Sequence, residues 1–279
     1  MNISINGKKA DLTLESEKTA GEILAGLEQW LENSGHRLSG LVIDGETIPA
    51  GGLADSFNRD IASIGSLDIK TNTLPELAAI ALINAAEDLV EYESAGFEEK
   101  QEIAGKWEES PQAGLLAEQM PEIHDWILKT LSGEGPGVPG MRNMIEERLH
   151  ELQDPLAELD RAGPLVAEII RRLEDFPLDI QTGKDARAVD TIRLFSNVTE
   201  KIFRLFNLLK VEGFPVGNIK VDETPISDYI TEFGSTLKEL LEAYEQKDAV
   251  LVGDLAEYEL APRLRSLYAA IKTPAASSA

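Results

Sequence analysis

The hydrophobic period of this chain changes once, at about residue 73, and that change limits what it can fold into. Before Thr73 the apolar residues come mostly in short alternating runs separated by Gly, Asn, Asp and Pro. From Pro75 they recur every three or four positions almost to the end. Alternation lines one face of a strand, and the longer spacing lines one stripe of a helix. The expected class is therefore α+β: a small sheet-containing domain over 1–73, then a mainly α-helical bundle region. At 43% hydrophobic residues the chain of 279 has enough apolar material for sizeable cores.

Within the first part, Met1 to Ile5 alternates and Asn6-Gly7 follows, a strong short-range hairpin signal. Ala10 to Leu14 alternates again as the expected second strand. Thr19 with Glu22 forms a capping box ahead of Ile23, Leu24, Leu27, Trp30 and Leu31, which recur at helical spacing. Asn33-Ser34-Gly35 stops that helix. Leu38 to Ile43 is a strand ended by Asp44-Gly45. An irregular stretch through Pro49-Ala50-Gly51-Gly52 leads to a last strand, Leu67 to Thr71.

Hairpin, helix, strand, irregular segment, strand: this order resembles the β-grasp, or ubiquitin-like, fold over residues 1–72. Ubiquitin-like modifiers and sulfur carriers act through a free C-terminal Gly-Gly. Here Gly51-Gly52 is internal and the chain ends Ala-Ser-Ser-Ala, so a docking role is expected rather than conjugation or sulfur transfer. The whole chain also resembles an uncharacterised bacterial family. The likeness rests on Ile5-Asn6-Gly7, a Lys18-Thr19-initiated helix with Trp30, and Asp254-Leu255-Ala256-Glu257-Tyr258-Glu259-Leu260. It implies no activity and transfers no site.

From Pro75 the helices follow one another. The first runs to Tyr92 and ends at Gly96, and an acidic one covers Phe97 to Glu109. Ala113 to Leu131 is broken at Pro121. Ser132 to Gly140, rich in Gly and Pro, reads as a connector. Met141 to Leu152 and Leu156 to Phe176 follow, with interruptions expected at Asp154-Pro155 and Gly163-Pro164. Lys184 to Lys210 is the longest helix candidate. Asp190, Arg193, Asn197, Glu200, Lys201 and Arg204 fall in one stripe about 100° wide. Val189, Ile192, Phe195, Val198, Ile202, Phe203, Phe206 and Leu209 fill much of the remaining girth. This is the expected central helix. Gly213 to Pro225 is a loop or a short extended excursion. Ile226 to Glu245 and Val250 to Ile271 form a helical pair with an apolar seam through Tyr244, Leu251, Leu255, Tyr258, Leu260 and Leu264, kinked or restarted at Pro262. Thr273 to Ala279 is a frayed tail. The expected domains are 1–73, an acidic helical segment 74–132 and a bundle 133–279, with 74–279 as a single domain the alternative.

Chemistry is sparse. There is no cysteine, so thiolate catalysis, thiolate metal sites and disulfides are excluded. Neither Gly-rich loop has the Gly-Lys-Ser/Thr that a phosphate loop needs, and Gly183-Lys184 is followed by Asp185. The histidines are His36, His124 and His150. Glu147 and His150 make one Glu-x-x-His, whereas a di-metal bundle uses two such pairs plus two more glutamates. Arg148, Arg161, Arg171 and Arg172 are the one basic concentration and are expected to form ion pairs rather than a phosphate site. No catalytic, cofactor-binding or metal-ligating residue is nominated.

Charge decides the partner class. The net charge is −24, a field that repels nucleic acid. It divides as −5 over 1–73, −10 over 74–132, −3 over 133–210 and −6 over 211–279. A protein partner is expected, a basic one docking on 74–132. With no signal-type apolar run and no segment of the ~20 residues a span requires, the expectation is a cytoplasmic, non-catalytic interaction protein: adaptor, scaffold or chaperone-like. The alternatives are an enzyme with a site assembled from dispersed acidic or arginine side chains, and a structural subunit that oligomerises.

Overall fold

The computed structural model describes residues 1–10, 14, 16–49 and 52–277. The chain divides into two compact units, Met1–Glu146 and Glu147–Ala279. A mixed sheet near the N-terminus is followed by helices, an α+β architecture.

The first unit begins with β1 (Asn2–Ile5) and β2 (Lys8–Lys9), joined across Asn6-Gly7 with both residues at positive φ. The second strand sits earlier and is shorter than Ala10–Leu14. Ala10 adds one bond to the Ile3 carbonyl, Leu14 is exposed, and residues 11–13 lie outside those described. Helix α1 (Ala20–Asn33) starts as expected: Thr19 Oγ1 accepts from the Glu22 N–H while the Glu22 carboxylate accepts from the Thr19 N–H. Ile23, Leu24, Leu27 and Leu31 are buried. Trp30 is exposed, because it lies at the outer edge of the stripe centred on Leu27 and Leu31.

Strand β3 (His36–Ile43) turns through Asp44-Gly45, both at positive φ, into β4 (Glu46–Ile48). That strand falls inside the stretch expected to be irregular; the Asp-Gly pair is a hairpin turn rather than a strand end. Helix α2 (Leu53–Phe57) and a single 3-10 turn (Ile61–Ser63) lead to β5 (Ser66–Thr73). The sheet order is β2-β1-β5-β3-β4, with β1 and β5 parallel and the other pairs antiparallel. The core joins Leu41, Ile43, Leu67 and Ile69 of the sheet to the buried face of α1.

β5 passes without a loop into α3 (Leu74–Ser94). Thr73 Oγ1 accepts from the Glu76 N–H at 3.3 Å, and the Glu76 carboxylate accepts from the Thr73 N–H at 2.7 Å. Pro75 occupies the first turn, where no amide donor is needed. Helices α4 (Phe97–Glu108), α5 (Pro111–Gln119) and α6 (Pro121–Leu131) follow, with the break at Pro121 where expected. The Gly/Pro connector is only half a loop. Gly135 lies so close to Thr130 that a Cβ there would stand 2.5 Å from its hydroxyl oxygen, and α7 (Gly137–Gln153) begins inside the connector. Pro139 fits that helix's first turn, and Val138 is buried.

The second unit is helical. Helix α8 (Pro155–Glu174) is capped by Asp154 and runs unbroken through Gly163-Pro164. Packing overrides the proline: Leu159, Ala162, Val166, Ile169, Ile170 and Leu173 hold one buried face across it. A short α9 (Phe176–Gln181) precedes α10 (Asp185–Val211), the 27-residue helix. Phe195, Val198, Ile202, Leu205 and Leu209 are buried, and Phe195 and Phe203 both stack against Phe233, so the phenylalanines serve the core. Val189 is exposed. The segment after α10 holds a small hairpin, β6 (Lys220–Val221) and β7 (Thr224–Pro225).

Helix α11 (Ile226–Glu245) then turns into α12 (Ala249–Asp254), a π-helical segment (Leu255–Leu260) and α13 (Ala261–Ser277). The wide π turn ends at Leu260 and α13 restarts at Ala261, so Pro262, whose ring supplies no N–H, falls in its first turn. The seam is Leu240, Ala243, Val252, Leu255, Ala256, Leu260 and Leu264; Tyr244, Leu251 and Tyr258 are exposed instead. The helix reaches Ser277, so Thr273 onward is not frayed over the described residues.

The strand-to-helix junction in the first unit rests on the Thr73 cap. Thr73→Ala is expected to cost about 1 kcal/mol, read as a lowered urea midpoint with an unchanged m-value.

Candidate functional site

Strand β3 has eight residues, yet β4 pairs only with Leu41, Val42 and Ile43. Among the described residues, the His36–Gly40 stretch has no strand on its outer side. A bulge between Leu38 and Gly40 inserts Ser39, so that Leu38 pairs with Thr71 and falls on the same face as Leu41, toward α1. Helix α1 flanks this open edge with Gly21, Leu24, Ala25, Glu28 and Leu31, and Phe57 closes one end. The result is a cleft of about 500 Å³.

Gly21 is what lets Phe57 approach, since a Cβ there would stand 2.9 Å from the Phe57 carbonyl oxygen. Leu38 is 38% exposed, a leucine at the floor of the cleft and not within the core. The polar lining is Glu28, His36 and Arg37. His36 Nδ1 lies 3.4 Å from Thr71 Oγ1, and the Arg37 guanidinium donates to the His36 carbonyl at 3.3 Å. An apolar floor beside an unpaired strand edge can take an extended chain, with backbone hydrogen bonds for affinity and side-chain contacts for selectivity.

The basic concentration seen in the sequence is spent on carboxylates. Arg204 binds Glu151 through two hydrogen bonds of 3.1 Å, and Arg148 reaches the same carboxylate at 3.2 Å. Lys201 donates to Glu147 at 2.9 Å and Glu158 at 3.0 Å, and Arg161 also pairs with Glu158. A second lattice joins Arg171 and Arg172 to Glu168, Arg172 and Arg193 to Asp190, and Arg187 to Asp179. Hydrogen bonds from Arg171 and Arg172 bring the Glu168 carboxyl down to about 2. The polar stripe of α10 therefore faces carboxylates of α7 and α8, as an ion-pair network requires.

Burial opposes charge on both Glu158 and Lys201. Lys201 and Arg161 outweigh that burial and hold the Glu158 carboxyl below its ordinary value. The Glu147 and Glu158 carboxylates likewise hold the Lys201 ammonium above its own. Glu147 is thus engaged by Lys201, and His150 is exposed. Among the described residues no group of three or more His, Asp and Glu is arranged to hold a metal ion. His124 stacks beside Trp107 at 5.4 Å.

The acidic segment has its own geometry. Ile80, Ile83 and Val90 are exposed along one stripe of α3, which Glu87 and Glu91 share. Burial, with repulsion from Glu91 and Glu87, raises the Asp88 carboxyl. The sequence reading missed both this apolar stripe and the α1–β3 cleft. Leu38 ahead of Ser39-Gly40 was the available signal for the cleft, but the shortness of β4 was not visible.

Residues 1–73 match the family described as the TP0873 N-terminal domain, and residues 157–270 match a domain of unknown function, DUF8042. An uncharacterised protein of Treponema pallidum (strain Nichols) is 23% identical over 267 residues, covering 96% of this chain and 94% of its own length. These matches fit an uncharacterised bacterial family. No solved structure matches. Among the described residues no helix is long and apolar enough to cross a membrane.

Two outcomes follow from the ion pairs. Glu151→Gln, which strips Arg148 and Arg204 of their shared counter-charge, is expected to cost about 3 kcal/mol in urea unfolding of the full chain. The pH dependence has two limbs. Glu158, with its carboxyl depressed, contributes stability above its ordinary value of 4.5 that is lost as pH falls through the lower folded value. Lys201, with its ammonium raised, contributes below its ordinary 10.5 and loses this as pH climbs through the higher folded value. Lys201→Met should flatten both limbs in a thermal-midpoint series against pH.

Proposed function

We propose that this protein is a non-catalytic cytoplasmic adaptor whose N-terminal part is a β-grasp, ubiquitin-like module that docks an extended segment of a partner protein. The observation that carries the reading is the α1–β3 cleft beside the unpaired His36–Gly40 edge. The sheet order β2-β1-β5-β3-β4, with α1 packed on one face, supports the β-grasp assignment. Strand addition uses the backbone groups that β4 leaves unpaired, and Leu38 offers the apolar contact beside them. The arginines that an enzymatic site of dispersed side chains would draw on are engaged with carboxylates, which favours the adaptor reading.

A second contact with a basic protein is proposed on residues 74–132. Its support is the α3 stripe, where Ile80, Ile83 and Val90 stand beside Glu87 and Glu91. Docked cations would relieve the repulsion around Asp88, and complementary charge sets both selectivity and on-rate.

Affinity capture from the native cytoplasm with the wild-type chain and with Leu38→Asp separates these contacts. A partner retained by the wild type and lost by Leu38→Asp, while Glu87→Gln/Glu91→Gln still retains it, is the expected result for the cleft. A partner lost by the glutamine pair, and released by 0.5 M salt where the screening length is only about 4 Å, is expected for α3. Identical partners with all three chains would overturn the reading.

A further inference from the structure

The terminal hairpin presents a second kind of surface, in the other unit. On α11 Leu240 and Ala243 are buried in the seam, while Leu241 and Tyr244, each the next residue along and so beside that stripe, are 54% and 53% exposed. The apolar surface at this end of the helix is therefore wider than the core that covers it. Across the turn, Val250 is 74% exposed in the first turn of α12.

The π segment adds Tyr258. In a π helix each amide bonds five residues back, so positions five apart come into line. Leu255 and Leu260 form one such pair and Ala256 and Ala261 another, and all four are buried. That repeat keeps the seam closed and leaves Tyr258 outward, 65% exposed. π segments recur at functional positions in helices.

Charge identifies the occupant. Between residues 238 and 259 the sequence holds seven acidic residues and two basic ones. Arg263 takes up Glu259 and Lys238 lies 3.9 Å from Glu242, while Glu245 and Asp254 remain exposed beside the apolar positions. A second copy of the chain would set like-charged rims face to face across a two-fold axis, which is costly. The hairpin tip is made of helices and offers no strand edge, so an extended segment has no backbone groups to pair with here.

We propose that the tip of the α11–α12 hairpin, with Leu241, Tyr244, Val250 and Tyr258, docks a basic amphipathic helix of another protein. Its apolar stripe covers these four side chains, and its lysines or arginines face the acidic rim. The proposal uses residues of the second unit alone, so it stands or falls independently of the α1–β3 cleft and of α3.

The test uses the full chain and a synthetic Leu/Lys amphipathic peptide of about 18 residues, roughly five helical turns, with a Leu/Glu peptide of the same pattern as control. The readout is amide hydrogen exchange by mass spectrometry, which locates protection along the chain. The Leu/Lys peptide is expected to slow exchange across 241–258 by about tenfold. The Leu/Glu peptide, and the Leu/Lys peptide added to the L241S/V250S chain, are expected to leave it unchanged. Both serines replace exposed residues, and an unaltered thermal midpoint shows that the fold survives; Tyr258→Ser gives a second, independent variant. No slowing at 241–258, equal slowing in the serine chain, or equal slowing by the Leu/Glu peptide would overturn the proposal. So would slowing that appears when the protein is simply concentrated, which would assign the face to a second copy.

Discussion

Helix α10 must bury one apolar face while carrying charge on the side that meets α7 and α8, and the second unit is organised around that requirement. Phe195, Val198, Ile202, Leu205 and Leu209 are taken up by the core. The remaining stripe cannot be left dry and unpaired, since a partly buried cation without a counter-charge costs several kcal/mol. Glu147 and Glu151 from α7 and Glu158 from α8 meet Lys201 and Arg204 there. The carboxylates thereby fix the register of three helices. This pairing engages Arg148, Arg161, Arg171, Arg172, Lys201 and Arg204 with carboxylates, so the basic concentration of the sequence forms ion pairs.

The proposed interaction surfaces arise where apolar or backbone groups extend beyond what covers them. β4 ends after three residues against the eight of β3, leaving an edge and a cleft. At the end of α11 the apolar surface is wider than the core that takes up Leu240 and Ala243, leaving Leu241 and Tyr244 exposed. α3 buries Ala78, Ala81, Leu82, Ala85 and Leu89 on one side and keeps Ile80, Ile83 and Val90 uncovered on another. Each surface has a different chemistry: a strand edge with mixed polar lining, an acidic apolar stripe, and an acid-rimmed helical tip. Three such surfaces on one chain suit a protein that gathers partners.

Local signals were legible in the sequence and long-range ones were not. The Thr19–Glu22 box, the Asn6-Gly7 turn and the break at Pro121 depend on neighbours within four residues, so the residues themselves specify them. Pro164 misled because the buried face of α8 outweighs the lost hydrogen bond. The connector misled because Gly137 to Gly140 is helical despite its composition. β4 is too short for its alternation to register. The arginine cluster was recognisable as ion-pairing, but its partners were not: Lys201 and Glu147 stand 54 positions apart. The cleft was the least legible feature, because it is defined by what β4 fails to cover.

The central claim is that the His36–Gly40 edge receives a partner's strand. Residue-resolved amide exchange on the full chain, alone and with a captured partner, tests it most directly. The account predicts that in the free chain the outward-facing amides of His36–Gly40, those not bonded to β5, exchange fast while those of Leu41 and Ile43, paired with β4, are protected, and that partner binding slows the former. Protection of His36–Gly40 already complete in the free chain, or unchanged when the partner is bound, would contradict it.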